Sequence, residues 1–220
     1  MKTIFMIKKE KLVFMAKFTG PKGKIVRRFG VNLYGNPKFD LLLQRRSHSP
    51  GQHGPNPGRR RVSEYALQLT EKQKLRYSYG LLEKQFRRTF RKAEQQTGVT
   101  GDNLMTLLET RLDSLVFRAG FGCTMMQARQ LVNHGHIAVN GKQVDIASFL
   151  VKAGDRISIR NTERSQALIS GHLQENIRFI DAKWFTVEKS SLTVTVNRLP
   201  QREEIHSPAN EKLIIEYYSK

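Results

Sequence analysis

Residues 109–160 read ETRLDSLVFRAGFGCTMMQARQLVNHGHIAVNGKQVDIASFLVKAGDRISIR, and their pattern decides the fold. Leu104, Leu107, Leu108, Leu112, Leu115, Val116 and Ala119 recur at helical spacing until Gly120 and Gly122, which predicts one helix running to Ala119. Thr124 followed by Gln127 fits a capping box and starts a second helix. At about 100° per residue, Ala128, Leu131 and Val132 share its apolar face, while Gln127, Arg129, Gln130, Asn133 and His134 lie opposite. Gly135 can end it in the left-handed conformation. Ile137, Ala138 and Val139, then Asn140-Gly141, then Lys142, Gln143 and Val144 spell a tight hairpin, because both turn residues tolerate positive φ. The hairpin sets Asn140 and Lys142 beside the polar face of the second helix.

Upstream, Ser63 can cap a short helix bearing Tyr65, Ala66 and Leu69, and Thr70 with Gln73 reads as a second capping box. A further helix carries Leu82, Phe86, Phe90 and Ala93 as its apolar stripe, with Lys84, Arg87, Arg88, Arg91 and Lys92 on the other side. Gly98 to Gly101 reads as a linker, with Asp102 as the next cap. From Thr19 to Arg61, glycine, proline and cations dominate, so irregular structure ordered by a partner is expected there. Downstream, Arg156 to Arg160 alternates as a strand, Thr162 to Asn176 is weakly helical, and Trp184–Val187 and Leu192–Val196 read as two more strands. Residues 210–220 favour a strand by propensity.

The 220 residues allow one or two domains with a real core, although only 39% are hydrophobic. A net charge of +19 calls for a polyanionic partner. Residues 1–94 hold 23 Lys and Arg against 6 Asp and Glu, and residues 95–220 hold 15 against 13, so the electrostatic footprint lies in the first half. Cys123 alone excludes an internal disulfide and a cysteine-rich zinc site, and reads as a small half-buried side chain. His48 and His53 lack the Cys or paired acids that would make them metal ligands. No apolar run reaches the length of a membrane span or signal sequence. No phosphate-binding glycine loop, paired-histidine motif or nucleophile with its base is present, so no catalytic residue and no cofactor are expected.

Arg111-Leu112-Asp113, Phe121-Gly122, Ala128-Arg129-Gln130-Leu131-Val132, His134-Gly135 and Val139-Asn140-Gly141 together resemble the small RNA-binding module named after small-subunit ribosomal protein four. Enzymes that modify RNA also carry that module. Outside it, Met15-Ala16-Lys17-Phe18, Pro50-Gly51-Gln52-His53-Gly54, Tyr65 to Leu69, Glu71 to Lys74 and Tyr79-Gly80 are similar to the bacterial-type ribosomal protein four family itself. The sequence departs from many of its members by lacking the cysteines of an N-terminal zinc knuckle. Met15 looks like the usual start, so residues 1–14 read either as an extension or as a start chosen too far upstream; a transit peptide is the weaker alternative, since Arg and Ser are absent there.

The resemblance implies an α+β fold: an extended basic segment over 1–62, a helical domain over 63–105 with 188–220, and an α/β domain over 106–187 whose RNA-binding core is 109–160. It favours a helix over the last residues, docked on the first domain. It implies a structural protein of the cytoplasmic small ribosomal subunit that binds the 5′ domain of small-subunit rRNA, nucleates assembly and contributes to translational accuracy. The partners implied are rRNA, neighbouring small-subunit proteins including protein five, and mRNA near the channel it enters by, with no membrane and no small-molecule substrate. The alternatives are an RNA-modifying enzyme and a free RNA chaperone carrying the same module. Asp113 could suggest the nucleophile of a pseudouridine synthase, but its packed helical position suits an ion pair with Arg111 or Arg118.

The expected RNA contacts fall in three groups. Phosphate contacts are assigned to Lys22, Lys24, Arg27, Arg28, Arg45, Arg46, Gln52, His53, Arg59, Arg60 and Arg61 in the N-terminal segment. The helices add Lys72, Lys74, Arg76, Lys84, Arg87 and Arg88, with Tyr79 to stack. Shape-selective contacts to backbone and 2′-hydroxyls are assigned to Arg111, Thr124, Gln127, Arg129, Gln130, His134, Asn140 and Lys142.

Overall fold

The computed structural model describes residues 18–55, 62–175, 182–188 and 190–219. The elements run α1 (Lys22–Phe29), α2 (Pro37–Arg45), α3 (Glu64–Ser78), α4 (Glu83–Glu94), α5 (Thr100–Glu109), α6 (Leu112–Arg118), α7 (Met125–Asn133), β1 (Ile137–Val139), β2 (Lys142–Gln143), β3 (Arg156–Ile159), α8 (Glu163–Glu175), β4 (Phe185–Glu188), β5 (Thr193–Val196) and α9 (Glu211–Tyr218). The class is α+β, as expected.

Two apolar cores organise these elements. In the helical half, Phe86, Phe90 and Ala93 of α4 meet Leu104, Met105 and Leu108 of α5, Leu75 of α3, and Ile205, Ala209 and Ile214 from the end of the chain. Gly101, in the first turn of α5, lies against the last helix: a Cβ there would sit 3.4 Å from that of Glu211, in ordinary van der Waals contact. The linker expected at 98–101 is thus partly helix, and Asp102 sits inside the first turn rather than at the cap. In the second half, Leu112, Leu115 and Val116 of α6 and Ala128, Leu131 and Val132 of α7 pack on Ile137, Val139, Ile157 and Val194 of the sheet. All neighbouring strands are antiparallel, in the order β2-β1-β3-β5-β4. Because β5 pairs with β3, the sheet domain extends to Val196 and the boundary expected at 188 moves. Phe117 packs against both cores, and Met125 of α7 reaches into the helical one.

The apolar run 104–119 forms two helices, not one. Arg111 is extended between them (φ −65°, ψ 141°). Turn 145–151 supplies the reason: Leu112 N–H donates to Phe149 O at 2.8 Å, and Val151 N–H to Thr110 O at 2.9 Å. Tertiary backbone bonds satisfy a donor, Leu112 N–H, and an acceptor, Thr110 O, that a continuous helix would have satisfied internally. Conversely, α3 is one helix where two were expected. Ser63 caps it, but the Thr70 hydroxyl donates to Ala66 O at 2.6 Å and caps nothing.

The segment after Thr19 is more regular than its composition suggests. Asn36 caps α2 and Pro37 takes its first turn, where the missing N–H costs no helical bond. Val26 is fully buried, and Phe18 and Phe29 flank Tyr77 of α3. At the other end of the chain, Asn210 caps α9, a helix and not a strand, which lies along α3.

Candidate nucleic-acid interface

Helix α4 is amphipathic in the extreme: its three buried residues are Phe86, Phe90 and Ala93, while Lys84, Arg87, Arg88, Arg91 and Lys92 are all exposed. None of the five is in an ion pair with a described residue. Three like-charge pairs stand four residues apart, each destabilising the helix by roughly 0.2–0.5 kcal/mol. The core holds this repulsion in place, and a polyanion laid along the face would relieve it.

On the N-terminal helices Lys24, Arg28, Arg45 and Arg46 are exposed, and Lys38, missed in the sequence, joins them. Lys22 is half-buried over the Tyr34 ring, 5.7 Å from its centroid. Arg27 turns back: its Nε donates to His48 O at 3.1 Å and Nη2 to Ser49 O at 3.4 Å, tying the following loop to α1. That loop presents Gln52 and His53 outward. Gly54 is obligatory there, since a Cβ would fall 1.8 Å from Ser49 O. Arg59, Arg60 and Arg61 lie outside the described residues.

Several expected contacts turn inward instead. Lys72 is buried, bonded to Glu83 at 2.9 Å and 4.9 Å from the centre of the Tyr217 ring. Lys74 pairs with Glu71 at 2.7 Å, and Arg76 lies 4.3 Å from the Tyr77 ring centre and 3.8 Å from Glu83. Burial would raise the Glu83 carboxyl, but the Lys72 bond and charge, with Tyr218 and Arg76, hold it below its ordinary value. Tyr79 is also buried, its hydroxyl donating to Glu109, which takes two bonds from Arg118. Burial first, then the Glu109 charge, pushes that phenol well above its usual range. Tyr79 therefore cannot stack on a base.

Asp113, fully buried, is the hub between Arg111 and Arg129. Arg111 Nε and Nη2 reach its two oxygens at 3.0 and 2.9 Å. Arg129 Nε and Nη2 reach Oδ2 at 2.8 and 2.6 Å, while Nη1 donates to Gly80 O at 2.6 Å and Nη2 to Tyr79 O at 3.0 Å. Arg129 joins α7 to the end of α3. Expected among the shape-selective contacts to RNA backbone and 2′-hydroxyls, Arg129 instead spends four donor contacts inside the fold. Of the two partners expected for Asp113, Arg111 is found and Arg118 is not.

The module's outward face is made by Gln130, Asn133 and His134 of α7 and Lys142 of the hairpin, all exposed. Thr124 caps α7 by accepting from Gln127 N–H at 3.2 Å, and the Gln127 side-chain Oε1 accepts from Cys123 N–H at 2.8 Å, one residue before the cap. Gln127 also touches His172 at 2.6 Å, so it packs rather than projects. Asn140 and Gly141 both have positive φ, as the turn demands. Asn140 braces the hairpin, donating to Asp155 Oδ1 at 2.8 Å and accepting from Arg156 N–H at 2.9 Å.

Between α4 and the turn at 148–150 lies a groove of about 160 Å³ lined by Gln85, Arg88, Lys92, Arg111, Ser148 and Leu150, among others. Here the basic helix of one half meets the module of the other. Among the described residues no three His, Cys, Asp or Glu side chains gather as they would around a metal ion, and no helix is long and apolar enough to cross a membrane.

Comparison with known proteins matches residues 17–109 to the family described as "Ribosomal protein S4/S9 N-terminal domain" and residues 110–157 to the "S4 domain". The boundary between them falls at the break before α6. Over 207 residues the chain is 52% identical to "Small ribosomal subunit protein uS4" of Opitutus terrae, covering 94% of this chain and 100% of the relative. Proteins of the same name from Geobacillus sp. and Chlorobium limicola are 50% and 48% identical over 206 residues, again covering 94% of this chain and all of theirs.

Proposed function

We propose, from the premise that this chain belongs to the uS4 family of small-ribosomal-subunit proteins, that its two halves clamp one folded region of small-subunit rRNA. Family membership makes it a structural, non-enzymatic, rRNA-binding component of the small subunit, placed in the cytoplasm with the ribosome, and sets aside the RNA-modifying enzyme.

The finer reading is ours. The exposed cations of α1, α2 and α4 make sequence-tolerant phosphate contacts, and Gln130, His134 and Lys142 contact backbone and 2′-hydroxyls of a shaped RNA. The RNA is a junction of helices in the 5′ domain, whose capture nucleates subunit assembly. Protein five and the mRNA near its channel are the further neighbours, through which the chain influences decoding accuracy. One observation carries the RNA-binding reading: five cations of α4 stand exposed, with no ion pair to a described residue, on a helix whose opposite face is buried. Sedimentation tests it. The chain should migrate with small subunits after a moderate-salt wash and bind a 5′-domain transcript; release into the free pool would favour a chaperone.

A further inference from the structure

We propose that the groove between α4 and the turn at 148–150 is a phosphate seat, in which a single phosphodiester of the bound RNA is held by both halves at once. Arg88 and Lys92 reach it from the helical half, Arg111 and Ser148 from the module. The proposal rests on the rRNA-binding reading and gives it a specific locus.

Three observations carry it. First, Arg111 is a prepared donor. Its side chain is only 7% exposed, and Asp113 fixes its Nε and Nη2 edge. The guanidinium is planar, so Nη1 faces away from that carboxylate, and it has no hydrogen-bond partner among the described residues. Asp113 is shared with Arg129, so one carboxylate answers two guanidiniums and the buried triad keeps an excess positive charge. That spare donor is not sealed from solvent, and an anion in the groove that Arg111 lines can take the place of water beside it.

Second, the lining selects for charge. Two guanidiniums, an ammonium, the Gln85 amide and the Ser148 hydroxyl surround the groove, and no carboxylate is among its lining residues. Third, the size suits a phosphate group. Drug-sized ligands need pockets of about 300 Å³ or more, whereas about 160 Å³ is the liquid volume of roughly five waters. The walls come from residues 85–92 and from 111 with 148–150, so the seat exists only while the two halves are packed. Filling it would couple RNA binding to their relative placement.

The test uses the full-length chain and two probes. With a 5′-domain rRNA transcript, Lys92→Gln should lower affinity and reduce the salt slope by about one contact, while Ser148→Ala should weaken binding about fivefold with the slope unchanged. Both side chains are exposed, so both variants should fold. If one phosphate is shared, the double variant loses less than the product of the two single losses. With inorganic phosphate alone, the Nε resonance of Arg111 should shift in the wild-type chain and stay put in Lys92→Gln. An Arg111 resonance that phosphate never moves overturns the seat whatever the RNA does, and losses that simply multiply overturn the shared phosphodiester. A phosphate-sensitive Arg111 in a chain that ignores rRNA would retain the anion seat and refute the rRNA reading instead.

Discussion

Replacing Arg129 by Met separates a structural arginine from an RNA-contacting one. The thioether chain keeps the aliphatic packing on α7 while the bonds to Asp113, Tyr79 O and Gly80 O vanish. Each of the two carbonyls loses a charge-assisted partner at about 1 kcal/mol. Asp113 keeps Arg111, so its loss is well short of the 3–5 kcal/mol typical of a fully orphaned buried charge, and we take about 1 kcal/mol. The sum is about 3 kcal/mol. For a chain of this size each kcal/mol moves the melting temperature by roughly 2–4 °C, so the midpoint should fall by roughly 6–12 °C. Denaturant unfolding measures the loss, and a salt titration of RNA binding at a temperature where both proteins are folded measures the rest. Because the charge is spent on Asp113, the slope of log affinity against log salt should not change. A stability loss under about 1 kcal/mol, or a slope reduced by about one, would falsify the assignment of Arg129 to the fold.

Lys142→Gln should do the reverse, lowering the salt slope by about 0.9 and leaving stability within about 0.5 kcal/mol. Asn140→Ala should cost about 1–2 kcal/mol in urea unfolding, since it keeps a φ of 50° unsuited to Ala and removes both braces to Asp155 and Arg156. Tyr79→Phe should cost about 1–2 kcal/mol by removing the bond to Glu109 from a site in which both residues are buried. The Glu83 carboxyl is lowered in the folded state, so its contribution is present above the unfolded value of 4.5 and lost as pH falls through the folded one. Stability measured between pH 6 and 3 should therefore fall less steeply in Glu83→Gln than in the parent; parallel curves would remove Glu83 from the acid transition.

Local signals were read well where local chemistry decides. The Thr124 cap, the Asn140-Gly141 turn, the left-handed Gly135 and the outward cations of α4 all follow from spacing, and the structure has them. What the sequence hid is set by distant partners. The break at Thr110–Arg111 comes from the backbone of residues 147–151. The inward turn of Arg129 comes from Asp113 and from two carbonyls some fifty residues away, and a cation at a polar helix position gives no sign of such partners. Arg28 and Arg111 look alike in sequence, but only one is exposed. The two N-terminal helices escaped because glycine and cations mask the few apolar residues, Val26 and Leu33 among them, that hold that segment together.

Helix α9 and the residues before it complete a core begun more than a hundred positions earlier, with Ile205, Ala209 and Ile214 packed among Leu75, Phe86 and Leu104. The sheet-bearing half, whose last strand ends at Val196, is therefore complete in a chain that stops near position 200, whereas the helical half still lacks a wall. The amino-terminal cations are thus translated long before the scaffold beneath them is finished. A chain truncated near position 200 should hold a compact module beside an unfinished, protease-sensitive helical half.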